Sequence, residues 1–442
     1  MDTPICDFVR RYAESGTLRL HMPGHKGCGP LGIEHLDITE ISGADSLYET
    51  EGIIAASEKN ASTLFGCPTF YSTEGSSQCI RAMLYLCLLH EKHSGRRPLI
   101  AAGRNAHKVL LSTAALLDMD VQWLYPEDCN SYLSCQISPK ALDRALNSMP
   151  HKPTAVYVTS PDYLGNMLDI QGLAQVAHRH GCLLAVDNAH GAYLKFLSPS
   201  MHPMDLGADL CCDSAHKTLP VLTGGAYLHA SPSLCAQAKT ALALFGSTSP
   251  SYLILQSLDG ANAALSEDYP ARLAQITNAL AICKTPLTTH GYTFLGDEPA
   301  KLTIDAKAYG YTGTELAALL RRQRIECEFS DPDYLVLMIT PETGTDSLHQ
   351  LEQALTSIPK GAPPAQQPPV FHSPKRKLSI REAVLSPWET IPVEQSEGRI
   401  LSAATVGCPP AVPIVVCGEQ IDRHVIERFQ YYGISTCCVV TE

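Results

Sequence analysis

The stretch DLCCDSAHKTLPVLTGGAYLH, residues 209–229, decides how this chain is read. Its apolar run Leu210-Cys211-Cys212 predicts a short buried strand, and Asp213-Ser214-Ala215-His216 a polar turn at the strand's end. Lys217 follows, and Gly224-Gly225 punctuate the approach to a second strand. A lysine that is partly shielded from water loses ammonium stability, so its pKa falls and the free amine becomes a nucleophile. A surface position is the commoner fate of a lysine, and this stretch alone leaves both readings open.

A second stretch, CLLAVDNAHGAY at 182–193, tips the balance. It reads as a buried strand that delivers Asp187 at its C-terminal end, followed by Ala189-His190-Gly191. In α/β sheets, ligands sit beyond the carboxyl ends of the strands. Taken alone, Asp187 is better read as a helix cap or turn residue. Paired with Lys217, thirty residues on, it matches what pyridoxal phosphate requires: a lysine as covalent anchor and a carboxylate that keeps the pyridine nitrogen protonated.

Further out, FYSTEGSSQCIRAMLYLCLLH at 70–90 predicts a strand, a turn and a helix. Gly75, Ser76 and Ser77 at that helix start suit an anion, because a helix N-terminus presents free N–H groups and a positive dipole end. Plain N-capping by either serine is the alternative. Strands at 98–102, 121–124, 154–159 and 182–187 alternate with helices at 107–118, 138–148 and 171–180. That order predicts a parallel sheet covered by helices.

At 442 residues the chain predicts two or three domains, and 45% hydrophobic against 18% charged residues gives each an ordinary core. A net charge of −12 disfavours nucleic acid and anionic membrane as partners. The seventeen cysteines are scattered without metal-ligand spacing, so no metal site is expected, and a reducing cytoplasm suits them better than disulfides. The N-terminus shows no apolar signal core, which again predicts a cytoplasmic protein.

Six motifs in order, HMPGHKG, RNAHKVLLS, VTSPDYLGNMLDI, VDNAHGAY, SAHKTLPVLTGGAYLH and STSPSYLILQSLD, resemble the major domain of the Orn/Lys/Arg decarboxylase family. A weaker likeness follows in REAVLSPWETIPVEQSEGRI and CPPAVPIVVCGEQI. The resemblance implies a fold-type I pyridoxal phosphate enzyme: an α/β large domain with a mostly parallel seven-stranded sheet, and smaller α/β units after it. It implies decarboxylation of arginine, lysine or ornithine in polyamine-related metabolism, by a homodimer or a dimer of dimers.

Carried onto this chain, the likeness assigns Lys217 to the imine and Asp187 to the ring nitrogen. His107 stacks on the ring; Gly75, Ser76, Ser77, Ser214 and His216 serve the phosphate, with His216 alternatively moving protons. Ala189 lies beside the cofactor, and Thr248 approaches the partner subunit's phosphate. Two departures stand out: STEGSS differs from the family's usual turn, and Asn188 occupies a position where many relatives have Glu. Thr159, Ser160 and Asp162, in another strand-end loop, are further candidates for the pocket. A cationic substrate side chain entering a partly dry pocket needs a carboxylate, and Asp37, Glu40, Asp45 and Glu419 are the candidates. Two rivals remain: an aminotransferase or lyase on the same fold, with Arg321, Arg322 or Arg324 holding a carboxylate, and a non-catalytic protein that keeps the cofactor.

The expected organisation is an arm at 1–55, the cofactor-binding domain at 56–285 and a small α/β domain at 286–358. A linker at 359–378, with six prolines, leads to a C-terminal domain at 379–442 containing a turn at 409–413 and a strand in AVPIVVCGE.

Overall fold

The computed structural model describes residues 1–91, 97–126, 131–404 and 410–441. Among them, seven strands form one sheet: β1 (Thr69–Ser72), β2 (Leu99–Gly103), β3 (Asp120–Leu124), β4 (Ala155–Thr159), β5 (Leu183–Asp187), β6 (Leu210–Asp213) and β7 (Ala226–Ala230), in the order β1-β7-β6-β5-β4-β2-β3. Helices α1 (Pro4–Glu14), α2 (Ile53–Phe65), α3 (Gly75–His90), α4 (Lys108–Leu116), α5 (Pro139–Ser148), α6 (Ile170–Arg179) and the single turn α7 (Ala215–Thr218) fall among these strands. The chain divides into two compact units, residues 1–92 with 183–273 and residues 93–182 with 274–442.

The first unit carries β1, β5, β6 and β7. Strands β5 and β6 are parallel, while β7 is antiparallel to both β6 and β1. That single reversal leaves β1, β5 and β6 running the same way, so their last residues Ser72, Asp187 and Asp213 share one end of the sheet. Strands β5, β6 and β7 are buried along their length, which is why they read as mostly apolar runs. The N-terminal helix α1 is held by a buried carboxylate, since Asp259 accepts the N–H groups of Ile5 and Cys6, both at 2.9 Å.

The second unit carries the parallel strands β2, β3 and β4. It also holds an antiparallel sheet of β8 (Phe294–Leu295), β9 (Lys301–Asp305), β10 (Phe329–Ser330) and β11 (Tyr334–Met338), and a ribbon of β12 (Trp388–Pro392) with β13 (Thr436–Val440). Residues 359–375, in the Pro-rich stretch, form no helix or strand.

One expectation fails here. Residues 411–419 are buried but make no strand, only isolated bridges at Glu419 and Gln420. Pro413 has no N–H to give a ladder, and the carbonyls of Pro413 and Ile414 are taken by the Arg104 guanidinium at 3.0 and 3.1 Å. Ala411 takes a left-handed φ of 55°. Pro409, where the expected turn begins, lies outside the described residues.

Among the described residues fifteen cysteines are free thiols, and no helix is long and apolar enough to cross a membrane. Burial pushes the Cys87 thiol up to about 12.

Gly224 shows how closely the turn after α7 is fitted. It sits at φ 103°, and a Cβ there would lie 2.9 Å from the Thr73 carbonyl oxygen and 2.9 Å from Ile254 Cδ1. Its own carbonyl accepts the Gly75 N–H at 2.7 Å. Gly224→Ala is expected to lower stability by about 1–3 kcal/mol, as forced left-handed backbone does. A urea midpoint equal to wild type would show that the turn relaxes freely.

Candidate active site

Three chain segments meet the end of the sheet where β1, β5 and β6 finish. At the end of β5, Asp187 is 2% exposed, and its Oδ1 accepts the Ala189 N–H at 3.3 Å and the Cys212 thiol at 3.6 Å. At the end of β6, Ser214 opens α7, and the Lys217 N–H donates to the Ser214 carbonyl at 2.9 Å. This one turn sets Lys217 half-buried, with its Nζ 3.1 Å from His190 Nε2. A lysine ammonium only donates, so His190 accepts through Nε2 and carries its own hydrogen on Nδ1.

The third segment is the start of α3. Its N-cap, Glu74, makes no side-chain cap bond; that carboxylate instead accepts the Ser247 N–H at 2.6 Å. A helix of sixteen residues therefore begins without a side-chain cap, leaving a dipole end suited to an anion. Gly75 sits there at φ 70°, where a Cβ would lie 3.9 Å from His216 Cε1. The Ser214 hydroxyl donates to Ser76 Oγ at 2.7 Å, and His216 Nδ1 donates to the Gly225 carbonyl at 3.0 Å. Gly75, Ser76, Ser77, Ser214 and His216 thus belong to one unit, at the sheet end where Lys217 and Asp187 lie.

Beneath these ends is a buried cluster the sequence did not announce. Asp213, fully buried, accepts Asn188 Nδ2 at 2.7 Å on Oδ1, and the Nε2 atoms of His202 and His229 on Oδ2, each at 3.1 Å. Asn188 also donates its N–H to the Cys212 carbonyl at 3.0 Å. So the residue after Asp187 is bonded twice to the strand that leads to Lys217. Burial opposes the Asp213 charge, but the two imidazoles outweigh it and hold the carboxyl far below the usual carboxylate range. For His229, burial pulls down and the Asp213 charge pulls up more strongly, so its pKa is raised. Ligand atoms of His202, Cys211 and Asp213 lie within 4.8 Å of one another. Hydrogen bonds already join them: Cys211 donates to Asp213 Oδ1 at 3.7 Å, and burial keeps that thiol protonated.

The remaining candidates make the following contacts. His107, in the second unit, caps α4 by accepting the Val109 N–H at 3.2 Å. Asp45 is buried, and its two oxygens accept the N–H groups of Glu51, Gly52, Ile54 and Ala55 at the start of α2. Burial opposes its charge, but those N–H groups outweigh it and lower the pKa. Glu40 is exposed beside the Thr39 hydroxyl, Asp37 meets His25 at 3.2 Å, and Thr248 is exposed. Glu419 is buried against Arg104 at 3.2 Å and accepts the Val416 N–H at 2.8 Å. Asp162 closes its own turn through the N–H groups of Leu164 and Asn166, each at 2.9 Å. The Thr159 hydroxyl is buried without a hydrogen-bond partner among the described residues, and Ser160 accepts the Leu168 N–H at 3.1 Å. Arg321 pairs with Glu326 at 2.9 Å on an exposed face that also holds Arg322 and Arg324. His190 was quoted in the sequence but given no role; its signal was its place three residues past the strand-end Asp187.

Residues 3–285 match the family described as Orn/Lys/Arg decarboxylase, major domain. The chain is 28% identical over 464 aligned residues to the arginine decarboxylase of Bacillus subtilis strain 168, covering 96% of this chain and 92% of that one. Among solved structures, the Francisella novicida lysine decarboxylase LdcF matches with a TM-score of 0.81 at 16% identity, over 99% of this chain and 81% of that one. The constitutive lysine decarboxylase of E. coli matches with 0.77 at 17% identity, over 100% and 82%. At such identities the structural likeness shows the fold, and it is the expected α/β fold with its mostly parallel seven-stranded sheet.

The Asp213 cluster sets a pH signature. Its depressed carboxyl adds stability above the ordinary carboxylate range and loses it only in strong acid. The raised His229 adds stability below about pH 6.5 and loses it as pH rises through its folded value. Asp213→Asn is expected to lose about 3 kcal/mol, as broken buried pairs do. The loss should be widest between about pH 4 and 6.5 and smaller in alkali. Urea unfolding at acidic and alkaline pH reads this, and a pH-independent gap would show that His229 carries no charge there.

Proposed function

The chain belongs to the Orn/Lys/Arg decarboxylase family, and from that premise we propose that it removes the α-carboxylate of a basic amino acid using pyridoxal phosphate anchored on Lys217. The observation that carries this reading is the shared sheet end: a buried aspartate closes β5 and a half-buried lysine lies in the turn after β6, its parallel neighbour, beside a helix start without a side-chain cap. Amine, carboxylate and anion site are the three features pyridoxal phosphate needs, and the residues present fit it. When bound, the group supplies an electron sink for the pair left as the Cα–carboxylate bond breaks.

The chain's own residues do the rest. His190, 3.1 Å from Lys217 Nζ, takes the proton whose loss makes the amine nucleophilic. Asp187, buried at the strand end, would hold a proton on the cofactor's ring nitrogen. The α3 N-terminus with Ser76, Ser77 and Ser214 would bind the phosphate. Arginine is the favoured substrate, since sequence relatives that span nearly the whole chain are named for it.

A second copy of this chain completes the working unit. The N-terminal segment leaves Leu18, Leu20, Met22 and Leu31 between 66% and 82% exposed. So much apolar surface in one short segment marks an interface.

Borohydride reduction of the loaded protein, followed by peptide mass spectrometry, should find the cofactor on Lys217, and Lys217→Ala should lose the link. Carbon dioxide release should follow with arginine in preference to lysine and ornithine, and should fall at least 100-fold in Asp187→Ala while the link survives. Trapping on another lysine would overturn the site. Amino-group transfer without carbon dioxide would overturn the reaction.

Light scattering should give twice the monomer mass for wild type and a lower mass for the double variant Leu20→Glu, Leu31→Glu. A monomeric wild type would remove the dimer.

A further inference from the structure

The second unit holds a cavity of about 370 Å3 whose lining includes Tyr132, Phe329, Asp331, Ile414, Tyr431 and Tyr432. Aromatic rings make much of its wall: Tyr432 meets Tyr132 edge-on with centroids 4.8 Å apart and Tyr431 edge-on at 4.9 Å. Asp331 is 6% exposed. Its Oδ1 accepts the N–H groups of Asp333 and Tyr334 at 2.8 and 2.7 Å. Its Oδ2 is also buried and has no hydrogen-bond partner among the described residues.

The cations nearby are engaged elsewhere. Lys307 pairs with Asp333 at 2.8 Å and donates to the Gln366 carbonyl at 2.6 Å, and the Tyr431 hydroxyl also donates to Asp333. The Arg428 guanidinium lies over the Phe371 ring, 4.7 Å from its centroid. Burial, aided by the Asp333 charge, outweighs the N–H donors and Lys307 and pushes Asp331 up to about 6. A buried carboxylate with one oxygen unbonded, among aromatic faces, has room for a further positive partner.

We propose that this cavity binds a small organic cation, an alkylammonium or guanidinium whose head meets Asp331 and whose stem packs on the tyrosine rings. The volume equals roughly a dozen waters at ~30 Å3 each and falls in the range of small-ligand pockets. A hard metal ion is the wrong occupant, because Ca2+ and Mg2+ require about six oxygens and these walls are largely aromatic and apolar. The acidic chain, at −12, favours approach of any cation. Binding here does not rest on the proposed decarboxylation, whose candidate residues Lys217 and Asp187 lie in the other unit.

Calorimetric titration of the full chain with butylguanidinium chloride, butylammonium chloride and uncharged 1-butanol tests this. One saturable event is expected with either cation and none with butanol. It should weaken about tenfold or more in Asp331→Asn and several-fold in Tyr432→Ala, and persist in Lys217→Ala. Affinity should also fall as pH drops through about 6, where Asp331 takes up a proton; Asp333, Lys307, Arg428 and the tyrosines are the other titratable groups around it. An event lost in Lys217→Ala and kept in Asp331→Asn would overturn the proposal while leaving the decarboxylase reading standing. Should Asp331→Asn fail to fold, unchanged affinity in Tyr432→Ala together with a flat pH profile would overturn it equally.

Discussion

A charge buried out of water must find partners or be neutralised, and the Asp213 carboxylate finds three. Two imidazoles hold one oxygen and Asn188 holds the other, so the charge survives full burial. Its position makes this more than a local matter. Asp213 is the last residue of β6, one step before the turn that presents Lys217, and Asn188 is one step past Asp187. The hydrogen bond between them fixes the spacing of the two strand ends beside which Asp187 and Lys217 lie. Rigid supports of this kind, rather than extra contacts to the ligand, keep reacting groups within the tolerance that chemistry demands. Gly191 belongs to the same device: a Cβ there would lie 2.0 Å from Asn188 Oδ1.

How much of this was legible in the residues follows from the range of each interaction. Lys217 and Asp187 stood out because a strand end is a local pattern: an apolar run, then a polar residue at a predictable edge. Regular helices and strands were likewise readable from periodicity, and β2 through β5 lie within a residue or two of their expected bounds. The Asp213 cluster was not readable, because His202 and His229 lie eleven residues before and sixteen after it, and nothing local marks them as its partners. His190 lay in plain view, but its role depends on where the Lys217 side chain goes.

Acidic residues were the hardest to sort. Asp45 was offered for substrate because a cationic ligand needs an anion somewhere. Its carboxylate accepts four backbone N–H groups, an arrangement set by how residues 46–55 fold back on it. Asp331 drew no notice, although its second oxygen is buried without a hydrogen-bond partner among the described residues. The run AVPIVVCGE misled for a related reason. Its composition is that of a buried strand, but a ladder needs donors and free carbonyls. Pro413 removes one donor, and Arg104, more than three hundred residues earlier, claims two carbonyls.

That bond to Arg104 has a temporal side. Glu419 follows its partner by 315 residues, and a ribosome adding about 5–20 residues per second needs roughly 15–60 s to cover that distance. Throughout that interval the Arg104 guanidinium has neither its carboxylate nor the two carbonyls that bury it. The second unit therefore gains this buried pair only when its final segment emerges, with β2 to β4 already synthesised. That window opens before Asp187 and Lys217 are synthesised and closes well after them, and through it the nascent chain is exposed to aggregation and to chaperones.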